Sequence, residues 1–314
     1  MVDCNDHGRA LEYCVALGLE RFLVNNKVEV ISSEETKRLN FRDKPQFDAL
    51  PLQDKEDFAR CSLAINVWLE SKGSLKGVER GTIDRLSDDK ASKNVDPTDI
   101  KLVLLKKDGS TLTENLSIKN HHDALKHPRL PSLPQQCGIS KGTKEDKEYR
   151  RGYAKIWEKF GENVRKNNKK ITGYEKLDSE IKFDYLYVPL MKHTTTFLNR
   201  HLSNSQCVSA LFEYLVGKTN YTVIKNEPKE IVIKDFSNST LPTKASITYP
   251  YSENDIDPRS HLLLEFNNGW KIRIRIHNAS GRIFKENGTI FATEKMDPIC
   301  INLTELIKVD AIEK

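Results

Sequence analysis

The clearest pattern in the chain is a two-residue alternation between positions 99 and 119. Apolar Ile100, Leu102 and Leu104, and then Leu112, Leu116 and Ile118, share one parity, with polar residues at most of the positions between them and Val103 and Leu105 as exceptions, and Lys107-Asp108-Gly109 lies between the two runs. The pattern predicts a β-hairpin with one buried face. A two-residue Asp108-Gly109 turn would set Asp99 opposite Ile118 and mix polar with apolar residues on each face, which a period of two penalises. A three-residue loop with Gly109 in the left-handed position pairs Ile100 with Leu116 and Asp99 with Ser117 instead. The six apolar residues then share one face, and Asp99, Ser117 and Lys119 share the other. A hairpin that merely meets solvent would carry the same polar row, so periodicity leaves a solvated face and a chemical site both open.

Elsewhere the period is helical. Leu11, Val15, Leu19 and Leu23, with Cys14 and Phe22 beside them, predict a packed first helix over Ala10 to Val24, with Glu12 on its border. Ser32-Ser33-Glu34-Glu35 has the form of a capping box opening a second helix, and Phe58, Cys61, Leu63, Ile65, Val67 and Trp68 mark a third from about Lys55 to Ser71. Asp84 to Asn94 reads as a polar loop leading to the hairpin. Pro128, Pro131 and Pro134 make a rigid turn region. Beyond them Tyr149, Tyr153, Ile156, Trp157, Phe160 and Val164 repeat at three or four residues, predicting a long basic helix over Lys144 to Asn167 whose charged face is either solvated or meets phosphate. A further helix is expected near Leu198 to Val216. A second hairpin, Leu262 to Phe266 and Trp270 to His277 around Asn267-Asn268-Gly269, puts Trp270, Ile272, Ile274 and Ile276 on one face and Lys271, Arg273, Arg275 and His277 on the other. Such a cationic strand face either guards a sheet edge or reads DNA bases. The runs divide the chain into 1–140, a basic helical 141–220 and a β-rich 221–314, which are able to pack as one unit.

The 314 residues suffice for one elaborated domain or two packed ones. Charged residues make up 30% of the chain, yet the formal net charge is only +5, so any nucleic-acid surface is local. Met1 to Gly8 contains no apolar signal core and no run approaches membrane-spanning length, so a cytoplasmic protein with no membrane partner is expected. The six cysteines form no C-x-x-C pair, which argues against a zinc knuckle or a redox motif and for reduced packing residues.

The return strand of the first hairpin continues as Ser117-Ile118-Lys119-Asn120-His121-His122-Asp123-Ala124-Leu125-Lys126-His127-Pro128-Arg129-Leu130, passing directly into a short basic helix. This run resembles the HaeIII-type restriction endonucleases. Leu86-Ser87-Asp88-Asp89-Lys90 and Asp96-Pro97-Thr98-Asp99 sit where that family carries its acidic approach to the site, and Arg275-Ile276-His277-Asn278-Ala279-Ser280 resembles a second signature. The resemblance runs in separated blocks from the helix of Glu12 to about Ser280. It implies an α/β fold with a PD-(D/E)xK-like nuclease core, a central mixed sheet, flanking helices and a β-rich C-terminal recognition region. It also implies a type II restriction endonuclease that cuts double-stranded DNA at a short palindrome, GGCC in its relatives, with Mg2+ as cofactor. A homodimer on DNA and a cognate DNA methyltransferase that protects the host site go with that reading.

Hydrolysis of a phosphodiester needs an activated water, a shielded anion and a stabilised leaving oxygen, and a hard divalent ion with oxygen ligands supplies much of this. Asp99 is the leading ligand candidate, joined by the backbone carbonyl of Ile118, and Lys119 on the same face is placed to orient the attacking water and stabilise developing charge. Two residues before that lysine nucleases of this kind carry an acid; here Ser117 stands there, a serine the resembling family shares. One ligand is thereby left open, for Asp96, Glu12 or a water held by Ser117. The family reading gives Glu12 an outer role at the metal, and a simple exposed helix carboxylate is its alternative. Glu114 falls on the wrong parity. Asn120, His122, Lys126 and Arg129, and near the second hairpin Arg273, Arg275, His277, Asn278 and Ser280, are candidates for phosphate or base contact. Two other readings stand beside this one. His121, His122 and His127 would serve an HNH-like metal centre, although their spacings do not give the one-turn pair that a helical metal site prefers. Alternatively the chain is a non-catalytic DNA-binding module in which the Arg273 to His277 strand does the work. RNA binding is disfavoured, because no aromatic strand motif of the RRM type is present.

Overall fold

The computed structural model describes residues 4–87, 97–121, 128–167, 173–218, 220–228, 230–236, 240–253, 256–278, 280–285, 288–290, 292, 294–301 and 305–310. The chain forms two compact units, one of residues 1–123, 217–239 and 303–314, the other of 124–216 and 240–302. The division expected at 140 and 220 is therefore replaced by an interleaved one. The physical reason is that strands from the C-terminal third return to complete the first unit's sheet.

In the first unit the elements are α1 (Cys4–Asn25), β1 (Glu29–Ser32), α2 (Glu34–Asp48), α3 (Leu52–Ser71), β2 (Val78–Arg85), β3 (Ile100–Lys106), β4 (Thr111–Asn120), β5 (Thr222–Asn226), β6 (Glu230–Asp235) and β11 (Glu305–Asp310). The strands make one mixed sheet in the order β1-β2-β3-β4-β5-β6-β11. Pairing is parallel between β1 and β2 and between β4 and β5, and antiparallel elsewhere. The β3–β4 hairpin has the expected register, Ile100 opposite Leu116 and Leu104 opposite Leu112, and Gly109 takes the left-handed conformation at φ +82°. Ile100, Leu102, Leu104 and Leu116 are fully buried and join Ile118, Ile224, Ile233 and the stripe Leu11, Val15, Leu19 and Leu23 of α1 in one core. Burying such a side chain stabilises the fold by about 1.5–3 kcal/mol.

Helices α1 and α3 touch backbone to side chain at Gly18, where an added Cβ would lie 1.6 Å from Ser62 Oγ. Only glycine permits that approach. The start of α2 lies one residue later than the capping-box pattern suggests: Ser33 is the cap, its hydroxyl accepting the Thr36 N–H at 3.2 Å. Thr36 occupies the place a capping-box glutamate would take, and its hydroxyl donates to the Ile83 carbonyl at 3.1 Å and accepts from the Arg85 N–H at 2.8 Å. The cap thus ties α2 to β2 as well as ending the helix.

In the second unit α4 (Lys144–Asn167), α5 (Val188–His201) and α6 (Ser205–Val216) accompany β7 (Ala245–Thr248), β8 (His261–Phe266), β9 (Lys271–Asn278) and β10 (Glu294–Cys300). Helix α4 has the expected bounds, and Tyr149, Tyr153, Trp157, Phe160 and Val164 are buried. The single helix expected near 198–216 is two helices, because Asn204 opens a new one: its side-chain oxygen accepts the N–H groups of Gln206 and Cys207 at 2.9 and 3.3 Å. The strands form an antiparallel sheet in the order β10-β9-β8-β7, with Ile272, Ile274 and Ile276 of β9 buried. Pro298 lies in β10, at the edge of this sheet, where a missing backbone donor is tolerated. Among the described residues no helix is long and apolar enough to cross a membrane.

Candidate functional site

Asp99 stands one residue before β3, where the ladder to β4 begins. Its N–H donates to the Leu116 carbonyl at 2.8 Å and its carbonyl accepts from the Leu86 N–H at 2.9 Å, so segments on both sides fix its backbone. The carboxylate turns onto β4, where Oδ2 accepts the Ile118 N–H at 2.6 Å and a longer bond from the Ser117 hydroxyl at 3.4 Å. Asp99 therefore stands in for the ladder partner that β3 has not yet begun to supply. The N–H and C=O of a strand residue point to the same side, so the Ile118 carbonyl is directed toward the Asp99 side too. Ser117 is fully buried, Asp99 and Lys119 are half-buried, and Lys119 follows Ser117 two places along the same face of β4. Serine at 117 has a plain electrostatic rationale: its hydroxyl can donate to Asp99, whereas a second carboxylate there would repel the first. Glu114 lies away from this face, buried and paired with Lys72 at 2.6 Å.

Beyond Lys119, Asn120 Oδ1 accepts from Asn226 Nδ2 at 3.0 Å, and the N–H of His121, whose φ is +57°, donates to the Asn226 carbonyl at 2.9 Å. His121 Nδ1 is 4.0 Å from Glu227, which also binds the Lys225 ammonium. Asp96, His122, Lys126 and His127 lie outside the described residues, as do Asp88, Asp89 and Lys90. Glu12 has a partner that the sequence did not suggest. The buried Arg85 guanidinium donates to Asp43 at 2.7 Å, to Asn40 at 2.9 Å and to Glu12 at 3.1 Å. Arg85 is paired with Ile100 in register, on the helix-covered face, so Glu12 is not brought together with Lys119. Glu12 is neither a simple exposed carboxylate nor, in this arrangement, a neighbour of the lysine.

In the second unit β9 is interior, flanked by β10 and β8, so edge protection does not account for its charged face. Each of its basic side chains has an acid: Lys271 meets Glu265 at 2.7 Å, Arg273 meets Glu253 at 2.6 Å, and Asp297 takes both Arg275 at 2.8 Å and His277 at 3.0 Å. The row that reads as bare positive charge in the sequence is a row of side chains each set against a carboxylate. The Asn278 amide donates to the Tyr187 hydroxyl at 3.1 Å and its buried Oδ1 has no hydrogen-bond partner among the described residues, so this side chain is turned inward. Ser280 Oγ accepts the Arg282 N–H at 3.1 Å, and Arg129 is exposed.

A family model described as HaeIII restriction endonuclease matches residues 8–287, most of the chain. The chain belongs to the HaeIII restriction endonuclease family. No curated protein and no solved structure matches it significantly. Membership in the HaeIII restriction endonuclease family makes DNA the ligand class and nuclease chemistry the function class, and both elements described above carry groups of that kind. Lys225, Glu227, Glu253 and Asp297 are among the charged partners that the sequence alone does not single out. A signal for Lys225 is present, since Ile118-Lys119-Asn120 recurs as Ile224-Lys225-Asn226, whereas Glu227 lies beyond the repeat. Among the described residues no group of three or more His, Cys, Asp or Glu side chains is arranged to hold a metal ion.

Proposed function

We propose that this protein is a type II restriction endonuclease with a PD-(D/E)xK-like centre at Asp99 and Lys119, cutting double-stranded DNA at GGCC with Mg2+ as cofactor. The observation that carries the reading is the Asp99 carboxylate fastened to the Ile118 N–H at 2.6 Å, beside the strand that bears Lys119, in a chain of this family. The donor chemistry suits the ion: Asp99 and the Ile118 carbonyl offer hard oxygens, and magnesium usually completes its shell from water and phosphate. When bound, the ion would supply charge neutralisation at the phosphate and acidify a water. The residues of the chain do the rest. Asp99, held by β4, sets where the cation is retained. Lys119 presents an ammonium that orients the attacking water and compensates the negative charge that develops around phosphorus. Ser117 steadies the carboxylate. Arg273, Arg275 and His277 on β9 are the base-reading candidates, and a palindromic target suits two copies acting on one site. The cognate DNA methyltransferase acts on the same sequence without contact with this protein.

The test is incubation with plasmid and Mg2+, followed by mapping of fragment ends. Discrete ends within GGCC are expected, with Asp99→Asn and Lys119→Met each slowing single-turnover cleavage by about a thousandfold or more. Undiminished cutting by Asp99→Asn would move the chemistry to another centre, for which the histidines at 121, 122 and 127 are the alternative. Specific binding without cuts would leave a DNA-binding module.

A further inference from the structure

We infer that Lys225 is a second phosphate-binding lysine of the Asp99–Lys119 centre and that Glu227 is its counter-charge in the DNA-free protein, an inference that rests on the reading of that centre given above. Strands β4 and β5 are parallel and in register, Ile118 opposite Ile224, Lys119 opposite Lys225 and Asn120 opposite Asn226. The repeated Ile-Lys-Asn therefore lies side by side, about 4.8 Å apart, and both lysines leave the same face. The register is pinned at its end by the bond from the fully buried Asn226 to Asn120 at 3.0 Å and by the His121 N–H on the Asn226 carbonyl at 2.9 Å.

Two ammonium groups on neighbouring strands repel each other unless an anion stands between them. In the free protein Glu227 binds Lys225, whose side chain is only 14% exposed, and His121 lies 4.0 Å from the same carboxylate. Glu227 offsets one of the two ammonium groups and Asp99 is held on the Ile118 N–H, so displacing Glu227 from Lys225 leaves two neighbouring lysines for one phosphodiester. Glu227 itself is too far along the sheet to be the acid missing at Ser117. Ser117 is opposite Val223, and Glu227 lies four residues further on. That is about 13 Å along the strand and two strand spacings from Asp99. One cation does not bridge that gap, so the carboxylate acts on Lys225.

The experiment measures duplex DNA binding by fluorescence anisotropy in EDTA over a series of NaCl concentrations. A phosphate contact acts on any sequence, so the duplex need not contain the target. Lys225→Met is expected to weaken binding by about tenfold and to lower the slope of log affinity against log salt by about one, while Lys225→Arg keeps both. Glu227→Gln, by releasing Lys225, is expected to bind at least as tightly as wild type. A purely structural ion pair predicts otherwise: Lys225→Met and Glu227→Gln would then reduce thermal stability alike, with the salt slope of Lys225→Met unchanged, and that result overturns the inference. Circular dichroism confirms that each variant is folded, and if Lys225→Met is not, Glu227→Gln carries the test: binding weaker than wild type by this folded variant overturns the inference. Failure of the centre itself reads out separately, as undiminished Mg2+-dependent cleavage by Asp99→Asn.

Discussion

Glu294 shows how one buried side chain couples this fold to pH. It lies on β10, almost wholly buried, bonded to the Tyr153 hydroxyl, with Oε2 lacking a hydrogen-bond partner among the described residues. Burial is the main cause that raises its pKa from the ordinary 4.5 to about 7, partly opposed by the hydrogen bond from Tyr153. Below pH 4.5 the carboxyl is protonated in folded and unfolded chains alike and contributes no pH dependence. Between 4.5 and 7 the unfolded chain releases the proton first, so stability falls as pH rises, and above 7 the full cost is present, about 3 kcal/mol. Glu294→Gln keeps an acceptor for Tyr153 and removes the ionisation. Urea unfolding should therefore give the variant a flatter profile over this window and a clear gain at pH 8 that vanishes near pH 4. An equal gain at both pH values would show that packing, not ionisation, sets the difference. Arg85 is the opposite case, a buried cation whose charge is matched by Asp43 and Glu12; removing one partner of such a cluster leaves charge uncompensated.

At the scale of the element, β9 is organised from its neighbour. Asp297 is buried on β10, directly across from Arg275, and its two oxygens hold Arg275 and His277 in one geometry. A guanidinium fork held this way is preorganised, which matters for reading a base through two bonds and little for attraction to phosphate. Asp297→Ala should therefore reduce discrimination between the target and single-base variants by roughly tenfold or more, the worth of one bidentate contact, while the salt dependence of binding to unrelated DNA stays as in wild type. Competition binding in EDTA measures both. Unchanged discrimination would remove Arg275 and His277 from the recognition set. The β3–β4 hairpin and the alternation in β9 were legible in the sequence because a period of two is local and one slip in register inverts every side chain. The partners of those rows were not. Pro298 makes the β10 segment read as something other than a strand, and only its place at the sheet edge reconciles the two. The pairing of Lys119 with Lys225 spans a parallel crossover, for which no local turn signal exists. Glu12 was legible as a border residue of α1, but its contact with Arg85 depends on how α1 and β2 meet.

The two units alternate along the sequence, and this decides what β11 does. Residues 303–314 leave the second unit's sequence neighbourhood and rejoin the first, where β11 pairs antiparallel with β6, Asp310 opposite Glu230 through to Glu305 opposite Lys234. Without β11, β6 would become the edge of the sheet, exposing backbone donors and acceptors along Ile231, Val232 and Ile233, which are now buried. Cutting the chain after Ile301 should accordingly destabilise the first unit and promote association through the bared edge. Of the three tryptophans, Trp68 lies in the first unit, and Trp157 and Trp270 in the second. In a Trp157→Phe, Trp270→Phe background, fluorescence thus reports the first unit through Trp68, which packs in its core. Loss of the strand pairing should lower the midpoint of that transition by at least about 5 °C, since 1 kcal/mol moves Tm by roughly 2–4 °C in a domain of this size. Light scattering should rise with protein concentration over the same range. If the Trp68 transition keeps its midpoint after truncation, β11 does not support the sheet, and β6 tolerates being an edge.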